Sequence, residues 1–167
     1  MTQKVRQMVR AAVIGALYVV LTHLQNLIFP NSASMAIQFR ASEALCVLAF
    51  FTPAAIPGLT AGCLLFNLTF IGSLPLDFLV GTLATLGATA SMRLLRRLPF
   101  LGLLMPALWN AFLVGWELSV YIGGGFWLNA LYVAIGEAAV LYTLGLLLYT
   151  TMKKNGLARK LFGESAC

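Results

Sequence analysis

Apolar residues fill six runs along this chain, at roughly 9–29, 41–52, 54–72, 76–93, 100–122 and 127–151. Short stretches of Pro, Gly, Ser, Asn or basic residues separate them. A helix needs about 20 apolar residues to cross a bilayer, and the second run has only about twelve. Pro53 and Pro57 part that run from the third, and fusing 41–72 into one kinked helix would leave five spans instead of six.

The positions of Lys and Arg choose between these counts. They gather at 4–10, at Arg93, Arg96 and Arg97, and at Lys153, Lys154, Arg159 and Lys160. The positive-inside rule places all three groups in the cytoplasm. Six spans with an inside N-terminus satisfy all three groups, and five spans do not. The pattern therefore predicts an all-α integral membrane protein with six transmembrane helices in a single domain over 1–167, both termini cytoplasmic. The short second helix then has to tilt or sit partly in the interface.

Composition agrees. Hydrophobic residues make up 60% of the chain and charged residues 10%, against about a quarter charged in a soluble domain. Mean hydropathy is +0.91, so there is too little polar surface to cover a globule in water. The net charge of +6 would suit nucleic acid, but the bases sit at the chain ends and in one loop, which is membrane orientation rather than a binding face. Lys4, Arg6 and Arg10 before an apolar run imitate a signal peptide. Ser34-Met35-Ala36 is a poor cleavage site, however, and the run is long enough to be a first span. Cys46, Cys63 and Cys167 have neither metal nor disulfide spacing.

On this topology the polar residues of the apolar runs collect at the outer side. Glu43 opens helix two, Asp77 opens helix four, and Trp116 and Glu117 close helix five. Asn129, Tyr132 and Glu137 occupy the outer half of helix six, His23, Gln25 and Asn26 the outer part of helix one, and Asn67 that of helix three. Charge near hydrocarbon costs about 2.5–3.5 kcal/mol per residue at a helix centre, so it marks a pair, a pathway or a ligand site. Four carboxylates balanced by Arg40 alone suit a cationic or hydrogen-bond-donating ligand. Local roles compete with that reading. Arg40 and Glu43 at i, i+3 can pair with each other, and Asp77 after Pro75 can complement the helix dipole. Glu117 and Glu137, inside apolar runs, are harder to explain locally. Trp116 and Tyr132 are either belt residues or a stacking surface for a flat ring. Asn110, at i, i+7 from Glu117, serves the cavity or helix packing. Gly123-Gly124-Gly125 makes a permissive turn. Small residues spaced by four, Ala12/Ala16, Ala11/Gly15, Gly58/Gly62 and Ala84/Ala88, allow helices to approach closely.

There is no nucleotide-binding G-x-x-x-x-G-K-[S/T] loop, no H-E-x-x-H and no G-x-S-x-G. A single histidine supplies neither a protease dyad nor a multi-histidine metal site. No catalytic residue, cofactor or metal is expected, and an integral membrane enzyme is disfavoured. An inverted repeat with broken helices is also missing, so the energy for any transport would come from another subunit.

Gln38-Phe39-Arg40-x-Ser42-Glu43-Ala44-Leu45 and Phe51-x-Pro53-Ala54-Ala55-Ile56 resemble the QueT family. The likeness extends to the Ala-Ala-x-x-x-Ala-Leu-Tyr segment at 11–18, Asn67, Asp77-x-x-x-Gly81-Thr82-Leu83-Ala84, and Asn110 with Glu117. Families of this kind are substrate-binding S-components of energy-coupling factor importers. The resemblance implies six helices, an outward-facing site capped by loops, and a transmembrane T-component with two ATPase subunits as partners. Ala12 and Ala16 match the motif that docks the T-component, and toppling of the subunit would carry the ligand across. The implied substrate is a queuosine precursor, 7-aminomethyl-7-deazaguanine (preQ1) or queuine. Position suggests Glu117 and Glu137 for donors on the base or ammonium, Asn110, Asn129 and Gln38 as amide partners, and Trp116 or Tyr132 for stacking. Glu43 either binds ligand or is held by Arg40 to shape the first loop. The alternatives are an S-component for another vitamin (riboflavin, thiamine or biotin) and a non-transport structural bundle, whose sign would be Glu117 and Glu137 paired to neighbouring helices.

Overall fold

The computed structural model describes residues 2–30, 39–70 and 73–163, all of it helices and turns. Gln38, one of the candidate site residues, lies outside these segments. Helix α1 runs Gln3–Ile28, followed after the first loop by a 3-10 segment, Ala41–Val47, that continues into α2, Leu48–Phe51. Then come α3 (Ala55–Thr69), α4 (Asp77–Leu94), the short α5 (Pro99–Gly102), α6 (Met105–Tyr121) and α7 (Phe126–Val140). A π-helical stretch, Leu141–Gly145, joins α7 to α8 (Leu146–Lys154), and α9 (Leu157–Phe162) closes the described chain.

Three stretches are long and apolar enough, by length and composition, to cross a membrane: Gln3–Ile28, Pro99–Tyr121 and Phe126–Lys154. Ala41–Phe51 and Ala55–Thr69 are shorter apolar helices. The outer surface is correspondingly apolar, with Val13, Leu17, Leu65, Leu83, Phe112, Leu131 and Leu147 exposed. In water such a surface would be an aggregation liability; in a bilayer it is the solvated face.

The helices pack in chain order: α1 on α3, α3 on α4, α4 on α6, and α6 on α7. The Ala41–Phe51 segment does not lie at the surface. It touches α1, α3, α4, α7, the π stretch and α8, and every residue from Ser42 to Phe51 except Leu45 is buried. The segment is therefore buried in the bundle along nearly its whole length. Its 3-10 winding stretches it. Seven residues at about 2.0 Å and four at about 1.5 Å give roughly 20 Å, still less than the ~30 Å hydrocarbon core. Burial among other helices removes the need to meet both interfaces. Its Phe50 and Phe51 join Leu59, Met92, Leu103 and Leu141 in one core, and Val80, Val114, Leu118 and Val133 form a second between α4, α6 and α7.

One small-residue stripe makes the α1–α3 contact. A Cβ on Gly15 would lie 2.7 Å from the Gly58 carbonyl oxygen, and one on Gly58 would lie 2.6 Å from that of Ala11. A Cβ on Gly62 would meet the Gly15 oxygen at 2.8 Å. These are backbone atoms, so no rotamer change relieves the clash. Gly58→Ala should therefore force α1 and α3 apart at about 1–3 kcal/mol, as overpacking does elsewhere. A lowered thermal midpoint of the detergent-solubilised protein, with Leu83→Ala on the exposed face near neutral, is the expected result; an unchanged midpoint for Gly58→Ala would contradict this packing.

Candidate functional site

Helix α1 carries Tyr18, Thr22 and Gln25 at i, i+4 and i+7, one face of an otherwise apolar helix. That face grips the chain where it re-enters the bundle. The Tyr18 hydroxyl donates to Glu43 Oε1 at 2.6 Å, Thr22 Oγ1 bonds Ser42 Oγ at 2.7 Å, and Gln25 Oε1 accepts from the Ala41 amide at 2.6 Å. The Gln25 amide also donates to the Phe39 carbonyl. Cys46 Sγ adds a contact to Glu43 Oε2 at 3.1 Å. Both oxygens of Glu43 are thereby engaged, and the residue is 1% exposed.

Arg40 sits among the acidic groups. It is buried, stands 5.8 Å over the Phe66 ring, and lies within coulombic reach of Glu43 and Asp77 as well as Glu117 and Glu137. All four carboxyls are buried, but their hydrogen bonding differs. Asp77 Oδ2 accepts from the Leu74 amide at 3.0 Å, and the Asn67 amide secures the Asp77 carbonyl at 2.8 Å; Asp77 thus fastens the start of α4. Glu117, on α6, faces the Asp77 carboxyl within hydrogen-bonding range, and neither of its oxygens has a donor among the described residues. Glu137, on α7, lies near Glu43 and leaves Oε2 without a partner. A buried carboxyl without donors is costly, about 1–3 kcal/mol or more for a charged group. Two facing carboxyls call for a donor or a cation between them. Among the described residues no group of three or more His, Cys, Asp or Glu is arranged to hold a metal ion.

The other candidates fall in different places. The Asn129 amide donates to the Gly123 carbonyl at 2.7 Å, and Gly123, Gly124 and Gly125 all have φ near +85° (87°, 83° and 82°), so Asn129 shapes the α6–α7 turn. The Asn110 amide donates to Pro106 O at 3.1 Å within its own helix, and it lies about 10 Å along the axis from Glu117 at 1.5 Å per residue. Trp116, about 100° round the helix from Glu117, is 48% exposed on the outer face, which favours the belt over stacking in the cluster. Tyr132 is half-buried. His23 is satisfied by Thr69 Oγ1 at 3.1 Å and by an edge contact with Phe66. Cys46 and Cys63 are buried free thiols.

Sequence reasoning missed the roles of Tyr18 and Thr22. The signal was there, as hydroxyls four apart in an apolar helix, but their partners at 42 and 43 became evident only with the fold.

Acidic and basic groups separate along the bundle. Asp77 and Arg93 stand sixteen residues apart on α4, as do Glu137 and Lys153 along α7–α8, so each pair is separated by about 24 Å at 1.5 Å per residue. Arg10 of α1 donates to the Leu161 carbonyl at 2.9 Å, which puts the basic end of α1 beside the basic end of α8 and α9.

Neither a curated protein nor a solved structure matches this chain. The QueT transporter family matches it over residues 8–154. With nearly the whole chain covered by the match, this protein belongs to the QueT transporter family.

Proposed function

We propose that this chain is the substrate-binding S-component of an energy-coupling factor importer, and that it takes up a queuosine precursor, 7-aminomethyl-7-deazaguanine or queuine. The observation that carries the reading is the pair Glu117 and Glu137, buried on adjacent helices beside Asp77, Glu43 and Arg40 with acceptor oxygens left over. A sealed structural bundle would have paired these oxygens to neighbouring helices. A deazaguanine supplies the complement: N–H donors on the base edge for one carboxylate and an ammonium or amine for another, each charge-assisted bond stronger than its neutral equivalent. Asp77 and Glu43 already have donors and define the walls. Arg40 keeps the cluster from being wholly anionic and offers donors to a carbonyl on the base.

Six spans with both termini cytoplasmic fit this reading. The basic groups of α1, of the α4–α5 turn and of α8–α9 then lie at the inner end, and the carboxylates lie toward the outer end, on the side of the Gly123–Gly125 turn. Transport would draw on a T-component and two ATPase subunits. Helix α1 supplies a surface for the former: Ala11 and Gly15 face α3, whereas Ala12 and Ala16 are exposed on the outside.

Equilibrium binding by the purified protein should be tight for 7-aminomethyl-7-deazaguanine or queuine and much weaker for guanine and riboflavin. Glu117→Gln or Glu137→Gln should weaken binding by about tenfold to a hundredfold, the range for bonds to a charged group. Undiminished binding by both variants would remove these residues from the site, and no binding of either precursor by folded protein would sink the substrate assignment. Ala12→Leu/Ala16→Leu should leave binding intact but cut co-purification with the co-expressed T-component and ATPases by about tenfold, because a bulky pair prevents close helix approach. Full co-purification would show that the partner docks elsewhere.

A further inference from the structure

The end of the bundle opposite the carboxylates holds a cleft that substrate binding does not use. Its volume is about 370 Å³, and its cationic lining is Arg96, Arg97, Lys153 and Arg159. Among the described residues no carboxylate lines it. The four cations come from two distant pieces of chain, Arg96 and Arg97 from the α4–α5 turn, Lys153 from α8 and Arg159 from α9, and Gly156 makes the turn between α8 and α9 with φ +63°. The floor is apolar and aromatic. Phe51 stacks on Tyr149 at 5.5 Å, Phe50 meets the same ring edge-on at 5.6 Å, and Met152 and Ala158 are buried beneath. The Lys153 ammonium stands 5.7 Å over the Tyr149 ring.

The neighbouring Arg93 shows what a structural arginine does here. It donates to the Phe50 carbonyl at 2.9 Å and so closes the end of α2. The four cleft cations stay exposed at the rim. Like charges converging on a partly apolar hollow repel one another unless an anion joins them. The combination of a cationic rim and an aromatic floor suits a phosphate that carries an apolar body.

We propose that this cleft is a binding site for a phosphate-bearing anion, presented by an acidic phospholipid of the surrounding leaflet or by a soluble phosphate compound. A basic hollow between helices at membrane-surface depth is where an anionic headgroup would be drawn, and the cleft is of ligand size. The site lies on the far side of the bundle from Glu117 and Glu137 and does not depend on what they bind.

The test is thermal unfolding of the detergent-solubilised full chain, titrated separately with short-chain phosphatidylglycerol, phosphatidylcholine of the same chain length, and inorganic phosphate. A saturable rise in midpoint with phosphatidylglycerol and not with phosphatidylcholine is expected, and it identifies the lipid as the source. A rise of the same size with inorganic phosphate would support the anion site and identify a soluble source. Arg96→Gln/Arg97→Gln should weaken the response by about fivefold per cation removed, the size of one basic contact with an anionic surface. Should that variant fold poorly, Lys153→Gln/Arg159→Gln probes the other wall with the same expectation. No response to phosphatidylglycerol or phosphate, or an undiminished response in whichever variants fold, overturns the proposal.

Discussion

The Tyr18 hydroxyl, 2.6 Å from a Glu43 oxygen, joins two elements that hydrophobic packing alone would leave free to slide. Lipid-like surroundings give no directional preference between apolar helices, so polar contacts and close backbone approach set their register. Thr22 and Gln25 extend the same hold one and two turns further. Once the start of the 3-10 segment is fixed to α1, the rest of Ala41–Phe51 is drawn through the middle of the bundle. Its far end is then held by Arg93, whose guanidinium closes the α2 carbonyls. A segment of roughly 20 Å can lie within a ~30 Å hydrocarbon layer because both its ends are bonded to other helices rather than to water.

Close approach governs the rest. The backbones of α1 and α3 meet through Gly15, Gly58 and Gly62, and α1 is thereby committed to α3 on one face and to the 39–43 segment on the next. The remaining face carries Ala12 and Ala16 with exposed Val13, Leu17 and Val20. A single helix thus sorts its residues three ways: small ones for intimate packing, hydroxyl and amide groups for the incoming chain, and apolar ones outward. The π stretch after α7 has a similar origin. It packs on the 3-10 segment, and irregular winding of this kind is common where helices meet functional groups; here it begins one turn after Glu137.

Much of this was legible in the sequence, for physical reasons. Long apolar runs and the grouping of Lys and Arg announce a helical membrane bundle, and the Gly123–Gly125 turn could be read from residues that tolerate positive φ. Glu117 and Glu137 stood out because an apolar run leaves an acid no local partner. Their burial on adjacent helices follows from a packing order that no single helix encodes. Trp116 was ambiguous because position along a helix fixes depth but not which way the side chain faces; one residue's rotation separates it from Glu117. Asn110 and Asn129 looked alike as amide partners, yet each bonds a nearby carbonyl, a local competition that amides in helices and turns commonly win. The burial of the short second helix was illegible for a related reason: twelve apolar residues look the same whether they meet lipid or protein.

Hydrogen bonding divides the carboxylates into two kinds, and that division bears on how such a site can work. Glu43 and Asp77 are supplied with donors from Tyr18, Cys46 and the Leu74 amide; they are parts of the scaffold. Glu117 lacks that supply at both oxygens and Glu137 at Oε2; they sit on α6 and α7, which are joined by the glycine turn and pack against each other. A group desolvated without partners raises the free energy of the empty state, and a donor-rich ligand relieves that cost as well as adding its own bonds. Selectivity follows from the same asymmetry. A ligand lacking one donor would leave a buried carboxyl oxygen still unpaired, a penalty that a purely apolar pocket could not impose. In the proposed site the satisfied pair would keep the walls in place while the unsatisfied pair discriminates, which would assign rigidity and recognition to different residues of one cluster.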